Sequence, residues 1–126
     1  IAAAEERLAA VGLGERRAIH AEDLAHGERR RLEIAMALAL SPRAFLLDEP
    51  MAGMGTDGAA AMTRLLDGLR HTAPILLVEH DMDAVFRLAD RISVLVYGAI
   101  IASGPPAEIR ASAAVREAYL GEEELP

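Results

Sequence analysis

The chain has 126 residues, enough for one modest domain. Its 13 basic residues are all arginine and face 20 acidic ones, for a net charge of −7, which argues against a generic nucleic-acid binder. The absence of Lys excludes a Schiff-base lysine and any GxxxxGK[ST] phosphate loop within these residues, and the absence of Cys excludes disulfides, thiolate nucleophiles and Cys-ligated zinc.

Hydrophobic residues make up 52% of the chain, but 26 of its residues are alanine, and no apolar run approaches the roughly 20 residues of a bilayer span. The chain begins with Ile and carries no signal-peptide pattern, so it is expected to be a piece of a longer protein. The first segment, residues 1–11, has helical spacing and stops at Gly12. Residues 12–25 are mixed and polar, as in a loop. A helix runs from Gly27 to Leu40, charged at first and then apolar, and Ser41–Pro42 ends it.

Phe45, Leu46 and Leu47 form a short apolar run closed by Asp48 and Glu49, which predicts a buried strand. Residues 50–58 make a glycine-rich turn, with Thr56 or Asp57 placed to cap a helix to about His71. Ile75–Val78 predicts a second buried strand, closed by Glu79, His80 and Asp81, and Asp81 is placed to cap a short helix. A hairpin follows, from Arg91 to Ser103, turning at Tyr97–Gly98–Ala99. Pro105 and Pro106 open a short helix through Ile109, residues 113–120 form the last helix, and the Glu122–Glu124 tail is expected to fray. Phe86, Tyr97 and Tyr119 are expected in the core or half-buried. Two apolar strands separated by a crossover helix make a βαβ unit, so the fold class is α/β: a parallel core, covered on both faces, with an antiparallel hairpin and terminal helices appended.

Ligands of open α/β sheets bind beyond the carboxyl ends of the strands. Parallel neighbours would set Asp48, Glu49 and His80 on one such rim. A carboxylate pair with a His can hold a divalent ion and activate water, and Mg²⁺ in particular is held by one or two carboxylates plus substrate phosphates. The bland alternative is that these acids merely cap the helices that follow. The start of the Gly27 helix, Leu24-Ala25-His26-Gly27-Glu28, offers free N–H groups and a positive dipole end, a seat for an anion. Arg29, Arg30 and Arg31 oppose that dipole and are expected on a solvated face paired with Glu28, Glu33 or loop acids.

"LAHGERRRLEIAMALALSPRAFLLDEPMAGMG", "ILLVEHDM" and "ADRISVLVYGAIIASGPPAEI", in that order, resemble the second half of an ATP-binding cassette (ABC) transporter ATPase, over nearly the whole chain. "RRLEIA", "MAGMG" and "AYLGE" are most like the ATPases of branched-chain amino acid importers. The resemblance implies a partial P-loop NTPase fold, one domain over 1–126, with a signature-helix region (1–42) and a Walker B to carboxyl-terminal region (43–126), and with the Walker A half absent. It implies ATP and Mg²⁺ as cofactors. Asp48 would hold the ion, Glu49 would act as general base, and His80 would contact the γ-phosphate. Ala25, His26, Gly27 and Glu28 would form the signature that meets the ATP of a second ATPase subunit, with Gly53 and Gly55 in the D-loop. Its other implied partners are transmembrane permease subunits, with no nucleic acid, and its implied place is the cytoplasm, on the inner face of the membrane.

Three departures stand out. The signature Ser is Ala25, its last position is Glu28 in place of Gln, and the D-loop Asp is Gly55. His26 is expected on the surface without a role, and Met51 and Met54 in packing or subunit contact. This chain alone is expected neither to bind ATP tightly nor to hydrolyse it. Two other readings remain open: a natural half-domain that serves as a dimerisation or regulatory module, and a small metal-dependent hydrolase built on Asp48, Glu49 and His80. A DNA-repair ATPase of the same superfamily is a weaker rival, because residues 1–25 show no sustained heptads.

Overall fold

The computed structural model describes residues 1–119, which fall into two compact units, Ile1–Glu79 and the residues from His80 onward. The predicted last helix residue, Leu120, and the acidic tail lie outside the described residues.

In the first unit, helix α1 (Ala2–Ala10) packs against α2 (His26–Ala39). The segment between them, expected as loop, contains two 3-10 turns, Gly14–Arg16 and Ala21–Asp23. It is anchored because Leu13 and Leu24 are buried at its ends beside Val11. Helix α2 buries Ile34, Ala35 and Leu38, one stripe at helical spacing, and ends where Ser41 takes a left-handed φ of 48° ahead of Pro42.

Strands β1 (Phe45–Asp48) and β2 (Ile75–Val78) pair in parallel, with Leu46 opposite Leu76 and Asp48 opposite Val78. The crossover between them is α3 (Thr56–Leu69), which buries Met62, Thr63, Leu66 and Leu69. The cap of α3 is Gly55, not Thr56 or Asp57, and no side chain bonds the helix end. Gly53, at φ 73°, turns the chain early enough that Thr56 is already the first helical residue.

Continuous apolar runs imply strands covered on both faces. The structure departs from this. Phe45 is buried, while Leu46 is 78% exposed and its neighbour Leu76 64% exposed. Strand alternation hands both to one face of a two-stranded sheet, and nothing among the described residues buries that face.

In the second unit, Asp81 caps α4 (Met82–Leu88) as expected, its Oδ1 accepting the Ala84 N–H at 3.1 Å. Strands β3 (Ile92–Val96) and β4 (Ala99–Gly104) form the antiparallel hairpin. Its two-residue turn has both Tyr97 (φ 45°) and Gly98 (φ 79°) in the left-handed region, the geometry that matches strand twist. Tyr97 thereby stands fully exposed at the tip, contrary to its expected burial, whereas Phe86 is in the core. Helices α5 (Pro106–Ala111) and α6 (Ala113–Tyr119) pack on β4. Phe86, Ile92, Val94, Ile109 and Val115 form this unit's core, and the Arg110 guanidinium lies 4.5 Å over the Phe86 ring.

Two outcomes follow. Ile109→Ala should cost about 2–5 kcal/mol, because it opens a cavity in a core with few members, as read by urea unfolding. The purified chain should self-associate through the Leu46–Leu76 face, and a Leu46→Glu, Leu76→Glu double variant should be more monomeric in light scattering. A sharp wild-type monomer with a cooperative melt would contradict this.

Candidate functional site

Two clusters of expected site residues lie in the first unit. The first is the carboxyl end of β1. Asp48 is its last residue and is exposed. Glu49 follows with φ 45°, a left-handed conformation that costs a residue with a Cβ about 1–2 kcal/mol. The surrounding backbone holds it there. The Glu49 N–H donates to the Val78 carbonyl at 2.8 Å, extending the β1–β2 ladder by one bond. Its own carbonyl accepts the Ala52 N–H at 3.1 Å, closing the turn that follows β1. The Met51 N–H donates to Glu79 Oε1 at 3.0 Å, so the end of β2 supports the same turn. Met51 itself is buried, with its sulfur near the Thr63 hydroxyl, which agrees with a packing role.

The second cluster is the amino end of α2. Ala25 is the cap residue, with extended backbone angles. Its methyl group cannot accept a hydrogen bond, so only half of a capping box is present: Glu28 Oε2 accepts the Ala25 N–H at 2.9 Å. The N–H groups of His26, Gly27 and Glu28 have no acceptor within the helix, and a Ser at position 25 would have satisfied one of them. The alanine therefore leaves more of the helix end open to an anion. A Cβ on Gly27 would meet only Met54, at an ordinary 3.9 Å. Packing within the chain thus does not demand glycine there, whereas close approach of a ligand to the backbone would.

Glu28 is committed to the protein. Besides the Ala25 N–H it binds Arg16, whose Nε lies 2.9 Å from Oε1. The Ala25 N–H and the Arg16 guanidinium hold its carboxyl below the usual glutamate range. A second carboxylate-neutralising effect comes from Arg31 nearby. The arginine run is thereby sorted. Arg30 pairs with Glu33 as expected, Arg29 binds the carbonyls of Leu24 and Glu22, and Arg16, from outside the run, takes Glu28.

The two clusters meet. His26 Nε2 lies 3.1 Å from the Ala52 carbonyl, and Met54 rests against Gly27 and Gly58. A shallow cleft of about 160 Å³ lies between the head of α2 and α3, lined by residues that include Ala25, Gly27, Glu28 and Met54. It is smaller than the roughly 300–1,000 Å³ of a pocket that encloses a small ligand. Gly53 needs its φ of 73°, and a Cβ there would come 3.4 Å from His26 Nε2. A Cβ at Gly55 would meet no atom within 4 Å.

His80 begins the second unit, one residue beyond Glu79. Among the described residues no three His, Asp or Glu side chains converge to hold an ion by themselves. An exposed Asp48 beside Glu49 suits Mg²⁺ that arrives with phosphates and keeps most of its waters. It suits a self-sufficient metal hydrolase less well. The sequence did not single out Arg16 or the contact of His26 with Ala52. These pair residues 12 and 26 positions apart, and no local pattern signals such pairings.

Because Glu28 titrates at lower pH in the folded chain than in the unfolded one, it stabilises the fold above the ordinary glutamate pKa of about 4.3, and that contribution is lost as the pH falls below it. Glu28→Gln should therefore lose less stability than wild type between about pH 5 and pH 3, as measured by urea unfolding. Equal losses would contradict the assignment.

Comparison with known proteins identifies the family and the fold. A family model described as "ABC transporter" matches residues 1–52, and one described as "Branched-chain amino acid ATP-binding cassette transporter" matches residues 99–124. The high-affinity branched-chain amino acid transport ATP-binding protein LivG of Salmonella typhimurium is 43% identical over 114 residues, 89% of this chain and 45% of that protein. The lipopolysaccharide export system ATP-binding protein LptB of Escherichia coli is 37% identical over 103 residues, 81% of this chain and 43% of that protein. The solved structure of MJ1267 in its ADP conformation, an ATP-binding cassette of an ABC transporter, matches with a TM-score of 0.80 at 28% identity, over 94% of this chain and 49% of that one. The chain thus spans a little under half the length of the curated relatives it matches. The parallel βαβ core and these similarities together place the chain in the ABC transporter ATP-binding family, as a counterpart of its carboxyl-terminal half most like the branched-chain amino acid transport ATPases.

Proposed function

We propose that the chain is the hydrolytic and partner-facing part of the ATP-binding subunit of an importer for branched-chain amino acids. The observation that carries this reading is Glu49, held in a strained backbone conformation at the end of β1 and hydrogen-bonded to β2, directly after Asp48. Mg²⁺ bound with ATP would neutralise charge on the phosphates. Asp48 would hold that ion through its hydration shell, and Glu49 would orient or deprotonate the attacking water. His80 would contact the γ-phosphate. The open N–H groups of His26, Gly27 and Glu28 would bind the γ-phosphate of ATP held by a second ATPase subunit, so that two nucleotides join two subunits and hydrolysis releases them. The Glu28 carboxylate, already occupied by Arg16 and the Ala25 N–H, is turned to the protein in this scheme.

No helix among the described residues is long and apolar enough to cross a membrane. By its likeness to transport ATP-binding proteins, the subunit would work in the cytoplasm, docked on permease subunits at the inner face of the membrane. Similarity to the lipopolysaccharide export ATPase LptB favours, as a second reading, a subunit of the same family that serves export.

The test joins the chain to the Walker-A-bearing half of its subunit and measures Mg²⁺-dependent ATP turnover. Glu49→Gln should lower kcat by at least about 10²-fold, the range for loss of a positioned general base, with little change in ATP affinity. The 126-residue chain by itself should show no turnover. Robust turnover by that isolated chain, abolished by Glu49→Gln, would overturn the division of labour. Uptake of branched-chain amino acids into vesicles carrying the assembled permease decides between import and export.

A further inference from the structure

We propose that His26 is a positioning residue that ties the signature end of α2 to the D-loop and, through it, to Glu49 of the same subunit. The inference rests on the functional reading above for what Glu49 does, but not for the contact itself.

The linkage can be followed bond by bond. A carbonyl oxygen only accepts, so His26 Nε2 carries the proton and donates to Ala52 O at 3.1 Å. The N–H of Ala52 donates to Glu49 O at 3.1 Å. The N–H of Glu49 donates to Val78 O at 2.8 Å. The first residue inside α2 is therefore two hydrogen bonds from the backbone of the candidate general base. The backbone on the receiving side is shaped for the ring. Gly53 takes φ 73°, so a side chain there would strain the turn, and its Cβ would touch the imidazole at 3.4 Å from Nε2.

The consequence is mechanical. In the proposed dimer the signature faces one nucleotide and Glu49 serves the other. A displacement of the α2 end by a bound γ-phosphate would reach Ala52 through the imidazole, and from there the turn that holds Glu49 in its left-handed conformation. Met54 against Gly27 supplies packing between the same two segments but no directional bond, so the direction of the coupling depends on His26. Ala52 presents its main-chain carbonyl, so the latch requires only a donor of suitable reach at position 26.

Two measurements test this. Hydrogen exchange of the full chain reads the latch without nucleotide. His26→Leu should speed exchange several-fold at the amides of Ala52 and Met54, which are bonded within the turn, and at Met51, which is bonded to Glu79, while the buried stripe of α3 keeps its protection. His26→Gln, which retains a side-chain N–H, should keep most of the wild-type protection. Steady-state kinetics of the completed ATPase reads the consequence. His26→Leu should lower kcat about five- to tenfold at unchanged KM for ATP, with recovery in His26→Gln. Wild-type exchange and wild-type kcat in His26→Leu would overturn the proposal, as would an equal loss in His26→Gln. A completed wild-type enzyme that turns over no ATP, with the exchange effect intact, would overturn the functional reading and leave the latch supported.

Discussion

The parallel pairing of β1 with β2 governs what the rest of the first unit can do. Its register sets Asp48 opposite Val78, so both strands end at the same level. One further ladder bond, from the Glu49 N–H to Val78 O, then holds a residue that would otherwise leave the left-handed region. Strain of this kind persists only where neighbours over-determine it. Here they are the ladder bond, the Ala52 turn and the Glu79 carboxylate on the Met51 N–H, which together make the acid's position a property of the sheet.

The second constraint is the uncapped end of α2. A helix of 14 residues concentrates donors and a positive dipole end at its start. Replacing a hydroxyl by the Ala25 methyl removes a potential acceptor for those donors, and Glu28 turns back to bind the Ala25 N–H and Arg16. Positions 25 and 28 thus act on the same helix end. One leaves donors open, and the other carries a negative charge that the protein itself neutralises. At Gly55, by contrast, an added Cβ would meet no atom within 4 Å.

The exposed face of the β1–β2 sheet fits the same account. Its apolar residues, Leu46, Leu76 and Val78, have the composition of a buried face and the exposure of an open one. Such runs arise where a parallel sheet is covered on both sides. The chain spans 45% of LivG, and nothing among the described residues supplies the second cover.

Much was legible in the sequence because the deciding signals are local. Apolar runs of four residues, a helix ended by Ser41–Pro42, the Asp81 cap and the Tyr97–Gly98 turn each depend on neighbours within a few positions, and each is found where the pattern places it. The rim acids Asp48 and Glu49 were found for the same reason, since they directly follow a strand. What required the tertiary structure is whatever depends on groups distant in the chain. Strand alternation, not run composition, decided that Leu46 faces out. The early turn at Gly53 moved the α3 cap to Gly55. Above all, the bonds from His26 to Ala52, from Met51 to Glu79 and from Arg16 to Glu28 exist only once helix, turn and strand end are folded together. Composition and local order determined which groups this protein has and on which elements they lie. Long-range backbone geometry decided which of them touch, because hydrogen bonds form between neighbours in space and local sequence carries no record of those distances.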